Sequence, residues 1–210
     1  MSSALHRARA ARAISIQPMP IAAMEAMHRA TGDMSARGGR TGFTPRINPA
    51  KSSYKPTDLE SQHYALIAKL AEFSLAERPT TQDLNAQFRA IADQLYGDEA
   101  QHTEVRQMAI EQLITSPHLY VEFVAKSSES YDDYTDRMSL PDTPGDHVTL
   151  QAVSDYLSLP INLITPTDAG LILVVPTETL PAENDASNSP LWLAHWGDAS
   201  YKSIGRMIVS

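Results

Sequence analysis

The order of two hydrophobic periodicities constrains the fold of this chain more than any other feature. From residue 57 to residue 157, apolar side chains recur mostly at helical spacing, whereas short β-type runs follow Pro160. These runs occupy residues 161–164, 171–175, 191–196 and 201–209, and the turn residues between them suggest hairpins of one sheet. Helices first and strands later predict an α+β domain at residues 57–210.

The helical half carries start and stop signals. Thr57 and Glu60 have capping-box spacing, so we predict a first helix that begins there, includes Leu75 on its apolar face and ends at Arg78-Pro79. Further helices are predicted at 87–96, closed by Gly97, at 99–114, at 118–126, at 130–138 and at 145–157. The polar stretch at 181–190 predicts a surface loop.

The first 50 residues differ from the rest in charge. They hold seven arginines, no lysine, and only Glu25 and Asp33, which gives +5 against −13 for the remaining 160 residues. Arg-rich, acid-poor heads are typical of organellar transit peptides, but disordered tails and extended arms that order on a partner share this composition. We predict a basic N-terminal extension at 1–56 and an intracellular location, which is mitochondrial if the head is a targeting segment and otherwise cytoplasmic.

Several classes of function are disfavoured by composition. The chain has no cysteine, which excludes disulfides, thiolate metal sites and a cysteine nucleophile. No apolar run approaches the roughly 20 residues of a membrane helix, so no membrane partner is expected. No P-loop or dinucleotide fingerprint is present, and no cofactor is expected. The arginines are not clustered with aromatic residues and the domain is acidic, so no specific nucleic-acid partner is expected.

One group of polar residues has the composition of a metal site. His102 and His118 lie near Asp98, Glu99 and Glu104 in the sequence. Their mixed spacing and ordinary helical surroundings favour a solvated face, so no metal is expected.

Three separated segments resemble, in order, the OTU (ovarian tumour) family of ubiquitin-cleaving cysteine proteases, most of all its plant-type branch. Residues 83–90 read Asp-Leu-Asn-Ala-Gln-Phe-Arg-Ala, where the family has Asp-Gly-Asn-Cys-Gln-Phe-Arg-Ala. Residues 145–152 are similar to the second half of the family's Trp-Gly-Asp-His…Leu-Gln-Ala, and residues 191–204 resemble a strand that ends in His-Tyr-Asn-Ser. The residues around Arg106 and Met138 also match. The resemblance, over about 80–205, implies a papain-type fold with a small central β-sheet flanked by helices.

By this resemblance the catalytic site has lost its chemistry. Ala86 stands where the family has its nucleophilic cysteine and Ser200 where it has its histidine, so neither a thiolate nor a base is present. Lys202 replaces an orienting asparagine, and Asp83 is the one orienting acid that remains. These four positions and Leu84 form the expected vestigial site. The expected cleft lining consists of Asn85, Gln87, Pro144, Asp146 and Trp196.

Two of these replacements bear on the shape of the cleft. Leu84 stands where the family has a glycine, and at a positive φ a leucine would cost on the order of 1–2 kcal/mol. The loop has therefore relaxed, or its geometry never needed glycine. Pro144 stands where the family has a tryptophan, which removes an aromatic wall and a backbone donor.

A laboratory trap and a substitute triad account less well for Ala86. A laboratory Cys→Ala change would produce Ala86 but not the changes at the four further positions. A substitute triad would need Ser200 with His147 or His195; His147 opens a helix, and His195 alternates with apolar neighbours, so packed or surface histidines are the better interpretation.

The resulting hypothesis is a catalytically inactive OTU-like pseudo-deubiquitinase that acts as a protein-interaction or structural subunit, docked into a large complex through residues 1–50. One alternative is a ubiquitin-binding OTU module, although Lys202 would then meet the basic tail of ubiquitin. The second alternative is a cysteine deubiquitinase whose cysteine was removed by engineering.

Overall fold

The computed structural model describes residues 59–126, 129–167, 170–177 and 189–206. The predicted basic extension, Thr57 and most of the predicted loop at 181–190 lie outside these ranges. Within them, the chain forms six α-helices and five strands. The helices are α1 (Leu59–Glu72), α2 (Ala86–Tyr96), α3 (His102–Thr115), α4 (Val121–Val124), α5 (Tyr131–Ser139) and α6 (His147–Leu157). The strands are β1 (Leu75–Glu77), β2 (Ile161–Ile164), β3 (Leu171–Val174), β4 (Leu191–Trp196) and β5 (Ser200–Arg206).

The five strands form one mixed sheet in the order β1-β5-β4-β2-β3. Strands β4 and β5 pair antiparallel as a hairpin, and so do β2 and β3. The two hairpins meet through a parallel pairing of β2 with β4. The predicted α+β class is confirmed, and the parallel seam in the middle of the sheet joins the two hairpins.

The prediction for the first helix is wrong at its C-terminal end. Helix α1 ends at Glu72, and Ser74 adopts a left-handed conformation with φ 56°. Leu75 then starts β1, which pairs antiparallel with the outer edge of β5. Leu75 is buried against α1 and the sheet, so tertiary pairing overrides the local helical spacing.

Local signals explain the ends of α2 and α6. Gly97 closes α2 at φ 70°, with its N–H donating to the Asp93 carbonyl at 2.9 Å. Asp146 caps α6 by accepting hydrogen bonds from the Val148 and Thr149 N–H groups at 2.9 and 3.0 Å. Both ends agree with the sequence-based prediction.

Helices cover both faces of the sheet. A larger core lies on one face, where α2, α3, α5 and α6 pack with side chains of β2, β4 and β5. A smaller core lies on the other face, where Leu66 and Leu70 of α1 meet Trp192 and Trp196 of β4. None of the helices in the described part of the chain combines the length and hydrophobicity that a membrane crossing requires.

Candidate functional site at the start of helix α2

The segment that leads into α2 is fixed along strand β5. The Arg78 N–H donates to the Ser203 carbonyl at 2.8 Å, which extends the sheet pairing beyond β1. Further along, the Gln82 side chain donates to the Tyr201 carbonyl, and the Lys202 ammonium donates to the Thr80 carbonyl. These bonds bring the first residues of β5 beside the loop before α2, so the structure gathers both halves of the predicted site.

Asp83 is held by two partners. Its carboxylate accepts from the Asn85 N–H at 2.8 Å and forms an ion pair with Arg89, with contacts of 2.9–3.1 Å. The Arg89 guanidinium lowers the pKa of Asp83 from its usual value, and the Asn85 N–H adds to this effect. The carboxylate is thus ionised near neutral pH, and its contacts fold the loop rather than orient a base.

Leu84 and Ala86 differ in burial. Leu84 is 51% exposed, and it is not among the described residues that have a positive φ. Leucine therefore carries no left-handed strain in this loop. Ala86 is buried as the first residue of α2, and its N–H donates to the Asp83 carbonyl at 3.0 Å. The side chain at the helix start is a methyl group without a heteroatom.

The register of the β4–β5 hairpin sorts the side chains of β5. Ser200 lies opposite Trp196 and Lys202 opposite Ala194, so these four side chains share one sheet face. Tyr201, between them, points to the face that α2 covers and belongs to the larger core. Burial raises the pKa of Tyr201 to about 12, while a hydrogen bond with Gln87 acts in the opposite direction. Tyr201 is therefore the side chain through which the start of β5 contacts α2.

Gln87 joins α2 to the start of α6. Its amide N–H donates to the Asp146 carbonyl at 2.9 Å, and its carbonyl accepts from the Thr149 hydroxyl at 2.8 Å. Gly145 makes this approach feasible, because a Cβ there would overlap the Gln87 amide and come within 3.1 Å of Phe88. Pairing and packing thus fix the N-termini of both helices relative to each other.

Arg106, which the sequence marks only as a residue matching the family, organises one wall of the site. It is 5% exposed, and its guanidinium lies 4.1 Å from the centre of the Phe88 ring. It donates to the Asn85 side chain at 2.7 Å and to three carbonyls of residues 138–143, the shortest of these bonds being 2.6 Å. Burial lowers the pKa of Arg106, and nearby Asp142 and Asp83 counteract that shift. A single basic residue within an apolar helical stretch was the available signal for this role.

Pro144 and Trp196 lie in different surroundings. Pro144 is half-buried, in the loop that Arg106 fixes. Trp196 is buried in the smaller core, and its ring stacks on His63 of α1 with centroids 4.2 Å apart. His63 in turn contacts the Glu77 carboxylate at 2.9 Å. Trp196 is therefore in contact with α1 through a stacked and hydrogen-bonded histidine.

The two histidines of the substitute-triad hypothesis have separate surroundings. His147 is exposed at the start of α6. His195 stacks on Tyr201 at 4.4 Å, and its Nδ1 lies 2.9 Å from the Ser200 carbonyl. Because a carbonyl only accepts, Nδ1 carries the proton, and burial lowers the pKa of this imidazole. The contact of His195 with Ser200 involves the backbone and not the hydroxyl.

The acidic residues of the metal hypothesis support local structure. Asp98 accepts from the Ala100 N–H at 2.9 Å, and Glu99 accepts from both the N–H and the hydroxyl of Thr81. Glu104 accepts from the Tyr96 hydroxyl at 3.5 Å. Across the described ranges, no three His, Cys, Asp or Glu side chains are grouped as metal ligands.

Sequence comparison identifies a family for most of this region. Residues 83–203 match the family model described as "OTU-like cysteine protease". The Arabidopsis thaliana protein "OVARIAN TUMOR DOMAIN-containing deubiquitinating enzyme 11" is 35% identical over 162 residues, which cover 77% of this chain and 62% of that protein. Enzyme 12 of the same series is 32% identical, covering 76% and 68%. Enzyme 10 is 34% identical, and the match covers only 38% of its length. The chain thus spans only part of these relatives.

Two solved structures share the fold of the described residues. "Structure of OTUD1 OTU domain" superposes with a TM-score of 0.52 at 17% identity, covering 68% of this chain and 93% of that one. "Structure of Ovarian Tumor (OTU) domain in complex with Ubiquitin" superposes with a TM-score of 0.50 at 16% identity, covering 62% and 69%. At these identities the similarity concerns the fold alone.

Proposed function

Because this chain belongs to the family of OTU-like cysteine proteases, we propose that it is a catalytically inactive member that acts as a protein-interaction or structural subunit of a larger assembly. The observation that carries the proposal is Ala86, a buried methyl group at the first position of α2, in a chain of 210 residues without a cysteine.

The chemistry of peptide or isopeptide cleavage by this family depends on a thiolate at a helix N-terminus. There the helix dipole lowers the thiol pKa, and a neighbouring base holds the proton. Ala86 supplies no nucleophile, and Ser200 supplies no base near neutral pH. The Lys202 ammonium is committed to the Thr80 carbonyl. We infer that no acyl-enzyme forms at this site.

The surroundings of Ala86 support a retained binding role. Bonds made by Arg106, Gln87 and Asp83 keep the loops around the start of α2 in fixed positions. The bonds of Arg106 and Gln87 tie together chain segments that are distant in sequence. A surface held in this way suits a constant partner, which is what a subunit of an assembly needs.

The test is hydrolysis of ubiquitin chains and of C-terminal ubiquitin esters by the full chain. We expect no turnover above a no-protein control, whereas an active OTU deubiquitinase in the same assay reports that the substrates are competent. Turnover by the unmodified chain would refute the proposal.

Reversion separates an old loss of catalysis from a single removal of the cysteine. We expect Ala86→Cys alone to stay inert, because Ser200 leaves the thiol without a base. Ala86→Cys combined with Ser200→His is the comparison that restores both groups. Activity of the single variant would indicate that the cysteine alone had been removed, by engineering or recently.

A second candidate is a ubiquitin-binding module, which the solved complex of an OTU domain with ubiquitin supports. A pull-down with immobilised ubiquitin, compared with the proteins that co-purify from the native source, separates the two candidates. Saturable ubiquitin binding favours the module; co-purification with a stable complex that is lost on deleting residues 1–50 favours the subunit.

A further inference from the structure

Helix α1 presents an apolar stripe to solvent on the side away from the sheet. Leu66 and Leu70 face inward and are at most 1% exposed. On the outward side, Tyr64 is 72% and Ile67 43% exposed. Ala68 and Ala71, also exposed, complete the stripe. The spacing 64, 67, 68 and 71 aligns the four side chains along the helix, so α1 is apolar on two opposite sides.

This stripe differs from scattered surface hydrophobic residues because its members adjoin one another. An amphipathic helix that covers a sheet normally turns charged or polar side chains to water. Contiguous exposed apolar surface marks a site of interaction. Charged residues occur at the two ends of the stripe, at Glu60 and Glu72, rather than within it.

The N-terminal segment has matching composition. Ile21, Met24 and Met27 recur at intervals of three, the spacing that aligns side chains along one face of a helix. Methionine adapts its shape to irregular apolar surfaces. The segment belongs to the first 50 residues, whose charge is +5, while the rest of the chain carries −13. Arg29, next to this apolar set, suits the acidic residues at either end of the stripe.

The connection permits this contact. The chain outside the described part ends directly at Leu59, the first residue of α1. The roughly 30 residues between Met27 and Leu59 can extend over about 100 Å, at about 3.3 Å per residue. Helix α1, with 14 residues, is only about 21 Å long, at about 1.5 Å per residue. Such a tether raises the local concentration of the segment to about the millimolar range.

A second copy of the chain suits the stripe less well. Four side chains on one helix expose far less than the roughly 800 Å² that each partner buries in a stable interface. Two copies would also bring together two bodies of charge −13. The basic segment, in contrast, is attracted to that body.

We propose that residues 21–27 fold back onto the outer stripe of α1, formed by Tyr64, Ile67, Ala68 and Ala71, and cover it within the same chain. This contact does not depend on whether the site at α2 is catalytic. It anchors the basic extension to the domain on the helix that covers the smaller core.

The absence of native cysteines makes disulfide trapping a clean test. In the full chain, Met24→Cys combined with Ala68→Cys places the two thiols at the centre of the segment and of the stripe. The matched control combines Met24→Cys with Gln107→Cys, an exposed position on α3. A disulfide requires the two Cα atoms to come within about 7 Å. Mild oxidation followed by non-reducing electrophoresis and peptide mass mapping reports the bond.

We expect the intramolecular bond to form on the order of 10-fold faster in the stripe pair than in the control pair, because docking holds the thiols together. Ile67→Asp added to the stripe pair should remove the difference, with an unchanged circular dichroism spectrum showing that the domain is folded. Equal rates in the two pairs would refute the contact. Bonds between chains in place of bonds within a chain would assign the stripe to a second copy, and would overturn the proposal as well.

Discussion

Arg106 shows how one buried side chain can hold a functional loop in place. Its guanidinium satisfies the Asn85 side chain and the carbonyls of Met138, Pro141 and Thr143, which come from two distant segments of the chain. Its Nε is one buried donor without a partner among the described residues. A buried cation is costly to desolvate, so its retention depends on this set of acceptors.

Arg106→Met should destabilise the fold by about 2–4 kcal/mol, because buried acceptors lose their donor at once. The measurement is the free energy of unfolding from urea titration. Arg137→Met is the matched control, since Arg137 pairs with Glu129 at 2.7 Å but is 44% exposed. We expect the control to change stability by about 0.5 kcal/mol or less. Equal losses in the two variants would contradict the clamp.

At the scale of elements, α6 depends on the residue that precedes it. Asp146 caps the helix, and the Thr149 hydroxyl accepts from the Asp146 N–H at 2.8 Å, which completes a capping box. The same carboxylate accepts from the Tyr134 hydroxyl at 3.0 Å, so the cap also connects α6 to α5.

Asp146→Ala should lower the free energy of unfolding by about 1–2 kcal/mol through loss of the cap. Asp146→Asn retains an acceptor oxygen, and we expect it to remain within about 0.5 kcal/mol of the unmodified protein. Chemical denaturation of the two variants in parallel gives the comparison. If the asparagine variant lost as much as the alanine variant, the carboxylate charge and not the cap would hold α6.

At the scale of the whole molecule, two cores share one sheet. The larger core includes Leu95 and the smaller core Leu70, and each of these side chains is 1% exposed. Both tryptophans, Trp192 and Trp196, lie in the smaller core, whereas most of the helices pack in the larger one. Fluorescence and far-ultraviolet circular dichroism therefore report on different faces of the sheet.

Leu70→Ala and Leu95→Ala should each destabilise the protein by about 2–5 kcal/mol, because each leaves a cavity. Since β4 and β5 contribute to both cores, we expect the fluorescence and circular dichroism transitions to coincide in both variants. Separate transitions in Leu70→Ala, with fluorescence lost first, would show that α1 and its core unfold independently.

The sequence by itself determined the features that depend on local chemistry. Gly97 and Asp146 fixed helix ends, and alternating runs fixed the strands, because these signals act within a few residues. The resemblance to OTU proteases, now confirmed for family and fold, rested on ordered motifs that include Ala86. The absence of a cysteine was likewise a matter of composition.

Tertiary structure decided what depends on pairing between distant segments. The pairing of Leu75 with β5 turned a predicted helical residue into a strand residue, and the parallel β2–β4 seam is not encoded by either hairpin alone. Strand register, in turn, directed Tyr201 towards α2 and placed Ser200 on the opposite face. Periodicity in one segment cannot specify such choices, because the energy that selects them comes from burial against partners far away in the chain.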